Sequence, residues 1–281
     1  MHDIHNDFEI ENILEENRKR HEIINAPYNP VTGLGAVGER KKISIKDSPI
    51  GDMYLPVELI KENLFIRRLA KYGFKGYIIR FIKEVEYSEE ALNQLWIEFI
   101  KYRIIYDFEY WAYSFIFIKD KVSPKDIPFK LNRAQRRVLN KLEKLRKAGK
   151  PIKFILLKAR QWGGSTLVQI YMLWIMLVHR RNWNTVICGD VETQSRNVRA
   201  MITKALNKYP SYLLGETVKF TPFEGSSKNK VIQNTNCVVS IGSFQKPDTL
   251  RSGDISGAHL TEIGLWRATP GKKPEDLIQS I

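Results

Sequence analysis

The sequence predicts an α/β protein in which a mostly parallel sheet is flanked by helices and preceded by a helical N-terminal extension. One observation is the order helix, strand, loop, helix, strand, helix after residue 129, which is typical of parallel sheets with crossover helices. The other is the glycine-containing loop KARQWGGST at residues 158–166, which lies between a predicted strand and a predicted helix. Phosphate-binding loops occupy this position in α/β proteins.

The elements after residue 129 follow from apolar spacing and from the residues that end each run. A helix with one apolar face and one basic face ends near Gly149. The segments that we predict after it are a strand at 152–157, a helix at 165–179, a strand at 184–188, a helix at 193–209, and strands at 217–220, 230–233, 237–241 and 257–261.

The chain before residue 129 shows a different pattern. An acidic start and the turn-rich residues 25–35 predict an arm over residues 1–55. Apolar residues then recur at helical spacing, so we expect a helical subdomain over residues 56–128 and the α/β domain over residues 129–281.

Composition narrows the class of protein. A hydrophobic fraction of 43% with 27% charged residues is ordinary for a globular protein. Cys188 and Cys237 lack the spacing of a zinc site or a disulfide framework. The apolar run at 167–178 is shorter than the roughly 20 residues of a membrane span, so we expect a buried helix and no membrane association.

Positive charge is concentrated in one part of the chain. The formal net charge is +14, and residues 119–160 hold 15 basic residues against three acidic ones. Such a segment attracts polyanions, and the aromatic residues just upstream could stack on nucleic-acid bases. A solvated lysine face beside an aromatic core strand gives the same sequence, so both interpretations stay open. The aromatic residues are Tyr110, Trp111, Tyr113, Phe115 and Phe117.

The loop differs from the pattern G-x-x-x-x-G-K-[ST] of ordinary phosphate loops. In that register Gly164 takes the place of the lysine, and Lys158 takes the place of the first glycine. Gly163 and Gly164 would expose backbone N–H groups to phosphates, and Ser165 or Thr166 would offer a hydroxyl to Mg²⁺. Lys158 can supply the cation if its amine crosses the loop from the opposite side.

This loop resembles the deviant phosphate loop of large terminase subunits, the ATP-driven motors that package DNA into the capsids of tailed bacteriophages. The resemblance implies that Lys158 binds the phosphates of ATP and that Arg160 acts as an arginine finger on the γ-phosphoryl group. A salt bridge that anchors the loop is the alternative role for Arg160. The residues that would line the nucleotide are Lys158, Ala159, Arg160, Gln161, Trp162, Gly163, Gly164, Ser165 and Thr166.

A second segment, residues 257–266, resembles the Walker B region of the same family. The resemblance implies that Glu262 orients the attacking water and, with Ser165, belongs to the Mg²⁺ site. Thr261 stands where other nucleotidases have an aspartate, so Asp190 or Asp254 could supply the missing charge. The alternative for Glu262 is an ordinary surface acid.

Residues 131–137 resemble the family segment that grips adenine, which places Gln135 on the base; an ordinary helix-surface glutamine is the alternative. Arg251, in a segment before the second motif, has no firmer role than nucleotide sensing or DNA contact. The resemblance spans residues 129–268 and implies a P-loop fold of the RecA/ASCE-like type. In that family the catalytic glutamate is followed by a strand with a hydroxyl-rich coupling motif and then by a nuclease domain with clustered acidic metal ligands. Neither is found here, so we expect no nuclease activity.

The function implied is ATP hydrolysis coupled to movement of double-stranded DNA into a procapsid. The expected partners are DNA, a portal protein, a small terminase subunit and further copies of the chain in a ring on the portal. The expected location is the host bacterial cytoplasm, with transient docking on the procapsid. A helicase-like translocase, or a non-catalytic DNA-binding or assembly protein with a degenerate loop, are the alternatives.

Overall fold

A computed structural model describes residue 29 and residues 35–82, 88–120, 124–157, 162–246 and 254–280. The chain forms two compact units. The first comprises Met1–Ser114 with Phe129–Leu156, and the second comprises Phe115–Pro128 with Leu157–Ile281. The helix that follows residue 129 therefore groups with the N-terminal half, whereas the sequence-based limits placed it with the α/β domain. The predicted arm lies largely outside the described residues.

The first unit combines a small hairpin with helices. Strands β1 (Arg40–Ser44) and β2 (Asp52–Pro56) pair antiparallel. The helical pattern predicted for residues 56–106 is confirmed by the first three helices of this unit. The helices are α1 (Val57–Glu62), α2 (Leu64–Phe81), α3 (Glu89–Tyr106), α4 (Phe108–Phe115) and α5 (Arg133–Lys147).

Helix α2 is folded back on itself at Gly73. This residue has φ 72° and ψ 176°, and a Cβ atom there would lie 2.7 Å from the carbonyl oxygen of Lys46. The ring centroids of Phe65 and Tyr77 are 5.1 Å apart. In a straight helix, 12 residues would separate them by about 18 Å along the axis. Glycine at this position therefore brings the two halves of α2 together.

Helix α5 is closed at both ends by local hydrogen bonds. The Asn132 side chain accepts from the Gln135 backbone N–H, and the Gln135 side chain accepts from the Asn132 N–H, which forms a capping box. At the other end Gly149 has φ 64° and donates to the Arg146 carbonyl, while Lys150 donates to the Leu145 carbonyl. This is a Schellman motif, and it ends the helix where the sequence predicted.

The aromatic residues upstream of the basic segment mostly belong to the core. Tyr110, Trp111 and Phe115 are buried in α4. The hypothesis that these three rings stack on bases is therefore wrong, and so is the alternative of a core strand, because the segment is helical.

Two buried ion-pair clusters hold the first unit together. Arg40 donates to both carboxylate oxygens of Asp107 at 2.8 and 2.7 Å, and Arg103 donates to the same group at 3.1 Å. Burial by itself raises the pKa of Asp107, but the two guanidinium groups outweigh it and hold that pKa below its usual range. Arg136 forms a second buried pair with Glu109, 3.1 Å away.

The second unit contains a five-stranded sheet. Its order is β6-β7-β8-β5-β9, in which β5 pairs parallel with β8 and β9, while β7 pairs antiparallel with β6 and β8. The sheet is therefore mixed, and the prediction of a mostly parallel sheet was wrong. The strands are β5 (Asn184–Gly189), β6 (Phe220–Phe223), β7 (Ser226–Ile232), β8 (Cys237–Ser243) and β9 (Gly257–Leu260).

Helices and a short hairpin complete this unit. Helix α6 (Gly164–Trp174) continues as a π-helical turn (Ile175–His179), α7 (Glu192–Asn207) follows β5, and α8 (Pro274–Ser280) ends the chain. Strands β3 (Phe117–Lys119) and β4 (Asp126–Pro128) pair with each other. Helix α6 is buried along most of its length, as predicted for the apolar run.

The strand predicted at residues 152–157 is absent from the sheet. The segment has no regular secondary structure, and the side chains of Ile155 and Leu157 are 96% and 99% exposed. Its apolar composition predicted a buried strand, but a strand needs a neighbour with which to exchange hydrogen bonds, and composition does not supply one.

The length and the hydropathy of the described helices can be compared with those of a membrane span. Among the helices of the described residues, none combines the length and the apolar character that crossing a bilayer requires.

Candidate functional site

Two glycines begin helix α6. Gly163 is the N-cap in the left-handed conformation, with φ 84° and ψ 24°, and its carbonyl accepts the first helical hydrogen bond from Leu167 at 3.0 Å. Gly164 is buried as the first helical residue. The first-turn N–H groups of such a helix are without intrahelical acceptors and carry partial positive charge. Lys158, Ala159, Arg160 and Gln161 lie outside the described residues.

The direction of α6 follows from two contacts. Midway along the helix, Gln169 Nε2 lies 2.6 Å from Nδ1 of His259 in β9. Just past its end, Met176 Sδ accepts from the Thr185 hydroxyl at 3.9 Å, where β5 begins. Helix α6 therefore runs antiparallel to β5 and β9, and its amino terminus lies toward the carboxyl edge of the parallel strands.

Glu262 lies at that same edge, two residues beyond the end of β9. Its backbone is left-handed, with φ 57° and ψ 38°, and its side chain is exposed. The preceding residue, Thr261, is buried, and its N–H donates to the carbonyl of Cys188 in β5 at 2.8 Å. A non-glycine residue in this conformation is uncommon, and such strain concentrates at functional sites.

An aromatic pair supports the turn that carries Glu262. The indole N–H of Trp266 donates to the Thr261 carbonyl at 3.2 Å, and the Leu265 N–H donates to the Glu262 carbonyl at 2.9 Å. The Trp266 ring stacks on Phe244, with centroids 5.0 Å apart. The turn is thus tied to the residue that follows β8.

The ends of β5 and β8 are joined through helix α7. The Ser195 hydroxyl accepts from the Gly189 N–H at 2.7 Å and donates to the Gly242 carbonyl at 2.6 Å. Asp190, the residue after β5, accepts from the Gln245 side chain at 2.8 Å. The carboxylate of Asp190 is therefore also presented at the carboxyl edge.

The thiol of Cys188 is buried and has a raised pKa. Burial and the charge of Asp190 raise its pKa to about 12, so it remains a neutral thiol at physiological pH.

The candidate oxygen donors for a metal ion at this edge are two hydroxyl groups and two carboxylates. Ser165 and Thr166 are half-buried in the first turn of α6, and Glu262 and Asp190 lie at the ends of strands. No group of three or more His, Cys, Asp or Glu side chains that could hold a metal occurs among the described residues. Mg²⁺ commonly uses only one or two carboxylates with phosphate oxygens and water, so these donors suit a nucleotide-bound ion.

Of the predicted site residues, the described structure brings Gly163, Gly164, Ser165, Thr166 and Glu262 to one edge of the second unit. Trp162 immediately precedes them and is half-buried. Gln135 belongs to the first unit, is buried, and uses its side chain in the capping box. Asp254 is exposed just before β9, and Arg251 lies outside the described residues.

Sequence reasoning missed three residues that build this edge: Gln169, Ser195 and His259. Each is a common polar residue within a helix or strand, and the contact that gives it a role joins positions 90 or 47 residues apart. No local pattern signals such a contact. The position of Gln169 within an apolar helix was the only sequence feature that indicated a hydrogen-bond partner, because buried polar groups require partners.

Comparison with known proteins identifies no relative: no protein-family model matches this chain, and no curated protein matches it.

Proposed function

We propose that this chain binds ATP with Mg²⁺ and hydrolyses it, as the ATPase portion of a large terminase subunit that moves double-stranded DNA into a procapsid. One observation carries the proposal. The glycine-led amino terminus of α6 and the strained Glu262 lie at the same edge of the parallel strands β5 and β9. In α/β sheets, ligands bind outside the carboxyl ends of the strands.

Each residue has a distinct task in this proposal. The backbone N–H groups of Gly164 and Ser165 donate hydrogen bonds to the phosphate oxygens, since the helix amino terminus attracts anions. The Ser165 hydroxyl would hold Mg²⁺, and the ion would neutralise charge on the phosphate oxygens. Glu262 orients the attacking water and accepts its proton.

Further roles rest on the resemblance of residues 158–166 and 257–266 to terminases. Lys158 contacts the phosphates, and Arg160 stabilises the transferring phosphoryl group. The fold proposed is of the P-loop, RecA/ASCE-like type, with a ring of copies docked on a portal together with a small subunit in the host cytoplasm.

Two observations favour a non-catalytic DNA-binding or assembly protein as the second candidate. Gly164 replaces the usual lysine, and Thr261, which is buried and uncharged, replaces the usual aspartate. A helicase-like translocase shares the proposed ATP chemistry and differs in its action, because it separates strands without a portal.

The deciding experiment compares ATP binding with ATP turnover. We expect Glu262→Gln to keep nucleotide binding and to lower turnover about 100-fold or more, because the water loses its base. Lys158→Ala should weaken nucleotide binding itself. Binding is measured by calorimetry with a non-hydrolysable ATP analogue, and turnover by phosphate release.

Matched controls are present in the chain. Glu224 is an exposed acid with φ 48° in a turn, so Glu224→Gln repeats the charge change in the same backbone conformation. Lys153→Ala removes an exposed lysine that precedes Lys158 in the sequence. Turnover in the Glu262→Gln and Lys158→Ala variants equal to that of these controls would sink the ATPase proposal. Nucleotide binding without turnover in the unmodified chain would favour the non-catalytic candidate.

A further inference from the structure

Helix α5 presents a row of basic side chains opposite its apolar face. Arg133, Arg137, Lys141 and Lys144 are all exposed. At 3.6 residues per turn they fall within an arc of about 80° and extend about 16 Å along the helix axis. The buried face carries Val138, Leu139 and Leu142. We name these four residues the α5 basic stripe.

The other cations of α5 are already neutralised. Arg136 pairs with Glu109 at 3.1 Å, Arg146 with Glu143 at 2.8 Å, and Lys147 with Glu58 at 2.5 Å. No ion pair is formed by a stripe residue with an acid of the described part of the chain. Of the basic residues on α5, the four stripe residues are therefore the ones that face solvent without an ion pair to the described residues.

These cations suit phosphate groups arranged in a row. Arg133 and Arg137, with Ala134 between them, line an open depression at the start of the helix. Double-stranded DNA presents about one negative charge per 1.7 Å of helix axis, so a stripe of about 16 Å can meet several phosphates. Helix α5 itself contains no aromatic residue, and of the upstream aromatic residues Tyr110, Trp111 and Phe115 are buried while Tyr113 and Phe117 are half-buried. The stripe thus offers charge without stacking rings, which favours a duplex over unpaired bases.

We propose that the α5 basic stripe binds the phosphate backbone of double-stranded DNA without regard to base sequence. The proposal deepens the proposed function and rests on it for the identity of the polyanion. Four phosphate contacts contribute about 3.6 to the slope of log affinity against log salt. Between 50 and 200 mM salt they therefore account for a fall in affinity of roughly 100-fold or more.

The test compares two variants with equal charge change. The stripe variant carries Arg133→Gln, Arg137→Gln, Lys141→Gln and Lys144→Gln. The control variant carries Lys42→Gln, Lys147→Gln, Arg196→Gln and Lys228→Gln, because each of these cations is paired with an acid. Binding of a labelled 30-base-pair duplex and of one of its single strands is followed by fluorescence anisotropy over a salt series. Circular dichroism melting checks that both variants fold.

We expect the stripe variant to bind the duplex at least 10-fold more weakly than the control variant at 100 mM salt, with a slope smaller by about 3. A slope equal to that of the control variant overturns the proposal, as does tighter binding of the unmodified chain to the single strand than to the duplex. The pair Arg133→Gln with Arg137→Gln is the smaller variant if the fourfold one melts early, and we expect it to lower the slope by about half as much.

The ATPase proposal and the α5 basic stripe proposal can be contradicted independently of each other. Glu262→Gln should bind the duplex with an unchanged slope, since Glu262 lies on no part of the stripe. Normal ATP turnover in that variant contradicts the ATPase proposal and leaves the stripe result standing. A stripe variant with unchanged duplex affinity contradicts the stripe and leaves the ATP experiment standing.

Discussion

Gln169 Nε2 lies 2.6 Å from Nδ1 of His259, and this contact joins helix α6 to strand β9 across 90 residues of sequence. Both residues lie in the second unit, and together with the contact between Met176 and Thr185 this contact shows that the amino terminus of α6 lies toward the carboxyl edge of β5 and β9. Gln169 is fully buried, so losing the bond leaves the imidazole nitrogen with one fewer partner inside the protein.

We predict that Gln169→Leu lowers the free energy of unfolding by about 0.5–1.5 kcal/mol, because the half-buried His259 loses its hydrogen bond to Gln169. Urea denaturation measures the change. Gln233→Leu is the control, since Gln233 is exposed and its hydrogen bond to Thr221 lies at the surface. A loss as small as that of the control would show that the α6–β9 contact contributes little.

The left-handed backbone at Glu262 predicts a conflict between stability and activity. Asparagine adopts this conformation more readily than glutamate, so Glu262→Asn should unfold with equal or greater free energy while ATP turnover is lost. Thermal melting and phosphate release provide the two measurements. Glu224→Asn, at φ 48°, should show the same change in stability with turnover retained. Lower stability of Glu262→Asn alone would argue against strain at this site.

The buried carboxylate of Asp107 predicts a dependence of stability on pH. Its pKa is lower in the folded chain than in the unfolded chain, where it is about 3.9. The carboxylate therefore contributes fully above pH 5, and the contribution falls as pH drops below about 4. Asp107→Asn leaves two buried guanidinium groups without their anion and should cost about 3–5 kcal/mol at pH 7.

Urea denaturation at pH 7 and at pH 3 tests the Asp107 prediction. The difference between Asp107→Asn and the unmodified chain should narrow in acid, because at pH 3 the unfolded chain has bound a proton at Asp107 whereas the folded chain, in which the pKa is lower, keeps the carboxylate. Asp52→Asn, at an exposed pair with Lys42, should change stability little at either pH. A difference that stays constant with pH would contradict the role assigned to Asp107.

The fold-back of helix α2 at Gly73 predicts that replacing this glycine with alanine costs more stability than replacing Gly149. Gly73 and Gly149 both have positive φ, but a Cβ atom contacts the Lys46 backbone only at Gly73 and meets open space at Gly149. Gly149→Ala should cost about 1–2 kcal/mol from backbone strain alone. Gly73→Ala should cost more, because the steric overlap is added to the strain. Equal losses in denaturant titrations would remove the steric part of the explanation.

The parts of the fold that follow local rules could be predicted from the sequence. The limits of α5 and α7 agree with apolar spacing, and Gly149 ends α5 as its residue type suggests. The pairing of β5 with β8 and with β9 as its parallel neighbours could not be predicted, because it joins residues that lie far apart in the sequence. At the site, the glycines before α6 were visible as a motif, whereas the left-handed backbone of Glu262 depends on the turn closed by Trp266.

The exposed segment at residues 152–157 has a consequence for handling the protein. It combines five apolar residues with a single charge, and Ile155 and Leu157 are almost fully exposed. Such short β-prone stretches pair with copies of themselves when a chain is concentrated. Lys153 within the segment opposes that pairing by repulsion, which salt screens with a range of about 8 Å at physiological ionic strength. Solubility of the isolated chain should therefore fall as salt rises.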